Sequence, residues 1–142
     1  MDTLVDVSRF VEAQQRDFCV ALREVRNGRK ESHWMWYIFP QFQGLGKSPM
    51  SKYYAIQNLD EAVAFLKDSY LGSNMREICL ALLQLNTSNA TEVFGRPDDM
   101  KLKSSMTLFM CACEDPLIFQ NVLDKFFDGK VDNRTIHLLD LY

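Results

Sequence analysis

The chain has 142 residues, 47% of them hydrophobic and 25% charged, and carries a net charge of −3. A chain of that length, residues 1–142, fits one domain, which buries roughly 68–70% of its unfolded surface. Its pI near 5.3 argues against a nucleic-acid partner, which calls for a basic face.

Residues 5–26 place Val7, Phe10, Val11, Phe18, Leu22 and Val25 at three- and four-residue steps, the spacing of an amphipathic helix. Asp6 reads as its N-cap and Gly28 as the left-handed residue beyond its end. Arg23, Arg26, Arg29 and Lys30, interrupted by Glu24 and Glu31, read as a solvated helix end, where cations are favoured. Ser32 is the expected cap of a short aromatic helix that stops before Pro40. Within it, 36–39 is the one run with extended character, and 40–50 reads as loop. Ser48 as N-cap and Pro49 in first position predict a short helix over 50–56.

Asn58, with Glu61 three residues later, opens a helix through 62–67, and Gly72 is expected to end that unit. Ser73 or Asn74 then starts a helix whose buried stripe is Met75, Ile78, Cys79, Leu82, Leu83 and Leu85. A polar break at 87–89 precedes a short helix ending at Gly95, and Asp98 is expected to cap a long helix carrying Leu102, Met106, Phe109 and Met110. Pro116 opens a helix with Phe119, Val122, Leu123 and Phe126, closed by Gly129. Asp132 caps the last one, which holds Leu138, Leu139 and Leu141. The fold expected is all-α, a compact irregular bundle of about seven to nine short helices with short connections. No period of 20 to 50 residues indicates repeats.

Cys19, Cys79, Cys111 and Cys113 form no CxxC pair, and His33 and His137 do not complete a zinc set, so no metal or cofactor is expected. Each cysteine lies in an apolar run and reads as a small hydrophobe in a reducing compartment. Asp2, Asp6 and Arg9 break any signal-peptide core, and no apolar stretch is long enough for a membrane span. The expectation is a cytoplasmic protein without membrane partners, monomeric or weakly dimeric.

The most informative segment runs from Ser32 through His33, Trp34, Met35, Trp36, Tyr37, Ile38, Phe39 and Pro40 to Gln41, then into Gly44, Leu45, Gly46, Lys47 and Ser48. It ends like a phosphate-binding Walker loop, but Gln41 stands where the first glycine belongs. Pro49 also removes a backbone donor, and no strand with a metal-binding aspartate is evident. Successive N–H groups around Gly44 and Gly46 beside a helix start still suit an anion.

His33-Trp34-Met35-Trp36, Phe39-Pro40-Gln41, Gly44-Leu45-Gly46 and Ser48 resemble the signature of a small helical family catalogued as a domain of unknown function. The likeness continues through Phe10-Val11, Ala13-Gln14, Tyr54-Ala55-Ile56, Glu61-Ala62, Phe94-Gly95, Asp98, Lys101-Leu102, Ser104 to Phe109, Asp132 and Thr135. It therefore spans nearly the whole chain. One departure is Leu71-Gly72-Ser73-Asn74-Met75, where the family usually has Leu-Gly-x-Arg-Leu. The resemblance implies an all-α fold and no established activity. Some members carry a calpastatin label, which implies calpain inhibition; a packed, aromatic-rich domain is unlike that disordered repeat inhibitor.

The motif residues suggest a site. His33 is the acid–base candidate and Asp98 a carboxylate catalyst or ribose ligand. Lys30 and Lys101 suit phosphate, while Gln41, Ser48, Ser104, Ser105 and Thr107 offer hydrogen bonds. Trp34, Trp36 and Tyr54 offer ring faces for stacking. The stretch 101–109 is also similar, by analogy, to a helix of a helical N-glycosidase family linked to ADP-ribose compounds. Binding of a nucleotide-like or other phosphorylated small molecule follows, with N-glycosidic cleavage of an ADP-ribose or NAD-related compound as its furthest form.

Each residue also has a structural reading. Trp34, Met35, Tyr37, Ile38 and Phe39 are core material, Asp98 is a helix cap, and Ser104 to Thr107 bond within their helix. A protein–protein interaction module without catalysis, or a self-associating structural protein, are the alternatives. The ligand reading requires His33, Gln41, Lys101 and Ser105 to meet in one cleft.

Overall fold

The computed structural model describes residues 5–141; Asp2, used in reading the N-terminus, lies outside them. Among the described residues the helices are α1 (Ser8–Arg26), α2 (Met35–Ile38), α3 (Pro49–Tyr53), α4 (Leu59–Lys67), α5 (Ser69–Leu83), α6 (Ala90–Phe94), α7 (Asp98–Cys111), α8 (Leu117–Phe127) and α9 (Asn133–Leu141). The fold is all-α: a single parallel bridge, Phe42 to Ile56, is the extended pairing found among these residues. The run 36–39, the one with extended character in the sequence, is helical up to Ile38.

Local chemistry explains most helix ends. Gly28, at φ 77°, follows Asn27, and the N–H groups of Gly28 and Arg29 return to the carbonyls of Val25 (2.8 Å) and Glu24 (3.1 Å), closing α1. Ser48 accepts the Ser51 N–H at 3.1 Å with Pro49 in first position, and Asn58 accepts the Glu61 N–H at 2.9 Å. Asp132 accepts the Thr135 N–H at 3.1 Å at the start of α9.

Four expected boundaries are corrected. Asp6 does accept the Ser8 N–H at 2.8 Å, but Val7 occupies the cap position of α1. Ser32 caps nothing, because its hydroxyl is drawn to Glu24; Trp34 precedes α2 instead. Asp98 is the first residue of α7 and makes no cap bond, its carboxylate being held by two lysines. Gly72 does not end a helix. Asp68 accepts the N–H groups of Tyr70 (3.0 Å) and Leu71 (2.9 Å) and starts α5 earlier, leaving Gly72 in its first turns. A Cβ at Gly72 would sit 2.2 Å from the Leu66 carbonyl oxygen, so its missing side chain lets α5 close on the end of α4.

The core is continuous. Phe10 of α1 meets Phe65 of α4 edge-on at 5.1 Å, Phe65 meets Phe109 of α7 at 5.1 Å, and Phe109 meets Phe119 of α8 at 6.1 Å. A second aromatic group, Trp34, Phe39 and Phe94, joins α2 to α6. α7 runs through the middle: Leu102 and every residue from Ser104 to Phe109 are buried. Arg9 clamps the α3–α4 connection from α1, donating to the carbonyls of Tyr53 and Ala55 (2.9 Å each) and pairing with Glu61 at 2.8 Å.

Candidate functional site

The site begins with Glu24. It lies on the buried side of the last turns of α1, 4% exposed. One carboxylate oxygen accepts the N–H groups of Glu31 (2.7 Å) and Ser32 (2.8 Å) and the indole N–H of Trp34 (2.9 Å); the other accepts the Ser32 hydroxyl at 2.6 Å. Burial alone would raise its pKa. The bonds from the Ser32 hydroxyl, the two backbone donors and the indole outweigh that and hold it at about 2. An acceptor that is charged at neutral pH thus shapes the turn between α1 and α2.

That turn carries Lys30 to α7. Its backbone N–H is fixed to the Val93 carbonyl at 2.7 Å, and its ammonium lies 5.1 Å from the centroid of the Trp34 ring. The same ammonium is 3.0 Å from one oxygen of Asp98, whose other oxygen is 3.4 Å from the Lys101 ammonium. Two cations against one carboxylate leave this cluster with an excess of positive charge.

Beside the cluster lies a crevice. Trp36 of α2, Gln41 and Gly46 of the 40–48 loop, Ser51 of α3, Tyr54 and Lys101 of α7 line it, over Met35, Phe39 and Phe42. The loop is pinned there because Ile56 donates to the Gln41 carbonyl and accepts from the Gln43 N–H, at 2.9 Å each. Gly46 is required by close packing, since a Cβ would lie 2.4 Å from that of Ser51. Closed as it stands, the crevice encloses about 10 Å³, room for roughly one water molecule.

The expected site residues divide accordingly. Trp36, Gln41, Gly46, Tyr54 and Lys101 converge on the crevice, and Lys30 and Asp98 join it through Lys101. Trp34 is buried beside them, its N–H given to Glu24 and Lys30 over its ring, so it packs in the core. Gly44 (φ 93°) and Ser48 are exposed; the Gly44 carbonyl faces Arg134 at 3.5 Å.

Ser104 and Thr107 hold the start of α9. The Ser104 hydroxyl lies 3.1 Å from the Asp132 carboxylate and 3.2 Å from the Met100 carbonyl. The Thr107 hydroxyl donates to the Lys103 carbonyl at 2.8 Å and accepts the Asp132 N–H at 2.9 Å. Ser105, one helical turn beyond Lys101, is fully buried, and its hydroxyl has no hydrogen-bond partner. His33 does not meet the others: it is exposed and does not line the crevice. The four-residue convergence expected from the sequence is therefore met by Gln41 and Lys101, with Ser105 beneath the surface on the same helix and His33 outside.

Sequence reasoning missed Glu24 and Ser51. Glu24 was read as an interruption of a basic cluster, although it follows Ala21 and Gln14 along the buried stripe of α1, a signal that was available. Ser51 carried no such signal, because its place depends on how the loop folds back onto α3.

The model of a family described as "Protein of unknown function (DUF1810)" matches residues 4–139, and the chain belongs to that family. The crystal structure of the conserved hypothetical protein Rv1873 from Mycobacterium tuberculosis is similar at 42% identity, over 96% of this chain and 98% of that one, with a TM-score of 0.93. No curated protein matches the chain. Among the described residues no helix is long and apolar enough to cross a membrane.

Proposed function

We propose that the chain binds a small phosphorylated molecule with a planar ring, of the nucleotide class, at the crevice between α2, the 40–48 loop and α7. One observation carries this reading: Trp36, Gln41, Gly46, Tyr54 and Lys101, drawn from separate parts of the sequence, line one crevice beside a cluster with excess positive charge. In this reading Lys101, backed by Lys30, meets the phosphate, and Gln41 and Ser51 supply directional hydrogen bonds. Half-buried Trp36 stacks on the ring, a contact worth about 1–3 kcal/mol for a base. A ligand of that size needs more room than one water, so its entry moves the 41–46 stretch, where Gly44 and Gly46 give the backbone freedom to rearrange.

The test is a thermal-shift titration with AMP, ADP-ribose, NAD and inorganic phosphate. A ligand at 100 times its Kd stabilises by about 2.7 kcal/mol, on the order of 8 °C for a domain of this size. Lys101→Ala and Trp36→Ala are expected to abolish the shift. Absence of any shift at millimolar concentration overturns the reading. The catalytic extension, N-glycosidic cleavage, stands or falls separately: His33 lies outside the crevice, which leaves Asp98 as the carboxylate, and turnover of ADP-ribosyl compounds must appear and must fall with Asp98→Asn.

A further inference from the structure

A cleft that shares no lining residue with the crevice opens between α4, α5, the 112–115 turn and α8. It encloses about 470 Å³, within the range of small-molecule pockets. Its walls are apolar: Val63 and Leu66 from α4, Ile118 and Phe119 from α8. Its charges are sorted by sign. Lys67 and Arg76 stand on the α4–α5 side, and Glu114 and Asp115 on the turn leading into α8. None of the four takes part in an ion pair among the described residues, although both signs line one cleft. Unpaired, solvent-exposed charges of both signs, carried by different elements around apolar residues, complement a molecule that carries both signs at its ends.

We infer that this cleft binds a zwitterion with an apolar body and its two charges at separate ends, of the apolar dipeptide class. Its carboxylate lies toward Lys67 and Arg76, its ammonium toward Glu114 and Asp115, and its side chains against Leu66, Ile118 and Phe119. This site is independent of the anion crevice and survives failure of that reading.

Cys113, half-buried in the cleft wall, supplies the readout. Cys79 is buried, so a Cys19→Ser/Cys111→Ser background leaves Cys113 as the accessible thiol. Its alkylation by iodoacetamide is followed with leucine, phenylalanine and the dipeptide Leu-Phe, each free, N-acetylated or C-terminally amidated. Free ligands are expected to slow alkylation in a saturable way. Blocking either end is expected to weaken protection about fivefold, the upper range for a solvent-facing ion pair. Arg76→Gln then reduces the cost of amidation and Glu114→Gln that of acetylation, while Lys101→Ala changes neither. Leucine and phenylalanine, whose two charges share one carbon, are expected to protect more weakly than Leu-Phe. No protection by free Leu-Phe at millimolar concentration, or equal protection by its free and blocked forms, overturns the inference. If the serine background does not fold, calorimetry of the unmodified chain with Leu-Phe against its N-acetyl amide reads the same difference.

Discussion

At the scale of single residues, Glu24 fixes more of the site than any member of the aromatic motif. Its pKa of about 2 lies below the ordinary glutamate value of 4.5, so the carboxylate contributes stability that is complete above about pH 4.5. That contribution is lost as pH falls through the folded value. Chemical denaturation of the native chain should therefore show on the order of 2–3 kcal/mol less stability near pH 2 than at pH 7 from this group. Glu24→Gln keeps one acceptor oxygen for the three N–H groups but removes the charge and puts an NH2 group against the Ser32 hydroxyl; it should be destabilised at pH 7 and show a flatter profile. An unchanged profile would mean that the turn carrying Lys30 does not depend on the charge. The tryptophans teach a related lesson. Both offered a stacking face in the sequence, but Trp34 precedes α2 while Trp36 lies within it, so the two rings do not share a face. Trp34 therefore enters the core and Trp36 the crevice.

At the scale of elements, the helices with a capping side chain were legible: α3 from Ser48-Pro49, α4 from Asn58, α9 from Asp132. α7 was legible as a helix but not in role, since its 104–109 stretch is buried on every side and has no contrast between faces to read. α5 was misread because Gly72 signals a stop in sequence, whereas here it answers to a neighbour. Its substitution separates the two causes. Alanine favours a helix over glycine by about 1 kcal/mol, yet a Cβ there meets the Leu66 carbonyl oxygen at 2.2 Å, a backbone atom that cannot swing aside. Gly72→Ala should lower stability by about 1–3 kcal/mol in thermal or urea unfolding; a more stable variant would show that α4 and α5 separate without cost. The far end of α5 is held by Lys125 of α8, whose ammonium donates to the carbonyls of Leu82 and Leu83 at 3.0 Å and to that of Leu85. Burial lowers its pKa, and the three carbonyl bonds compensate by closing a helix end. Lys125→Met should cost about 1–2 kcal/mol in the same assay and raise amide exchange in the last turn of α5.

At the scale of the molecule, the motif residues came from segments whose meeting no periodicity could reveal. The loop reaches the crevice through Ile56, α7 reaches it by crossing the core, and the first turn reaches it by way of Glu24. The same architecture sets stability and anion binding against each other. Asp98 lies between Lys30 and Lys101 and joins the α1–α2 turn to α7. It is also the internal competitor of any phosphate that approaches those lysines. Removing its charge by Asp98→Asn should leave two neighbouring cations unpaired, lowering the unfolding temperature in phosphate-free buffer. It should at the same time strengthen anion binding, so that phosphate raises the unfolding temperature of the variant more than that of the native chain. Because ligand stabilisation grows with the logarithm of concentration over Kd, the two titration curves should draw together as phosphate increases. Sodium chloride at matched ionic strength controls for screening, which would weaken the lysine repulsion without a specific site. Equal phosphate gains in both chains would show that Asp98 only ties the turn to α7, and that the excess charge beside the crevice does not recruit an anion.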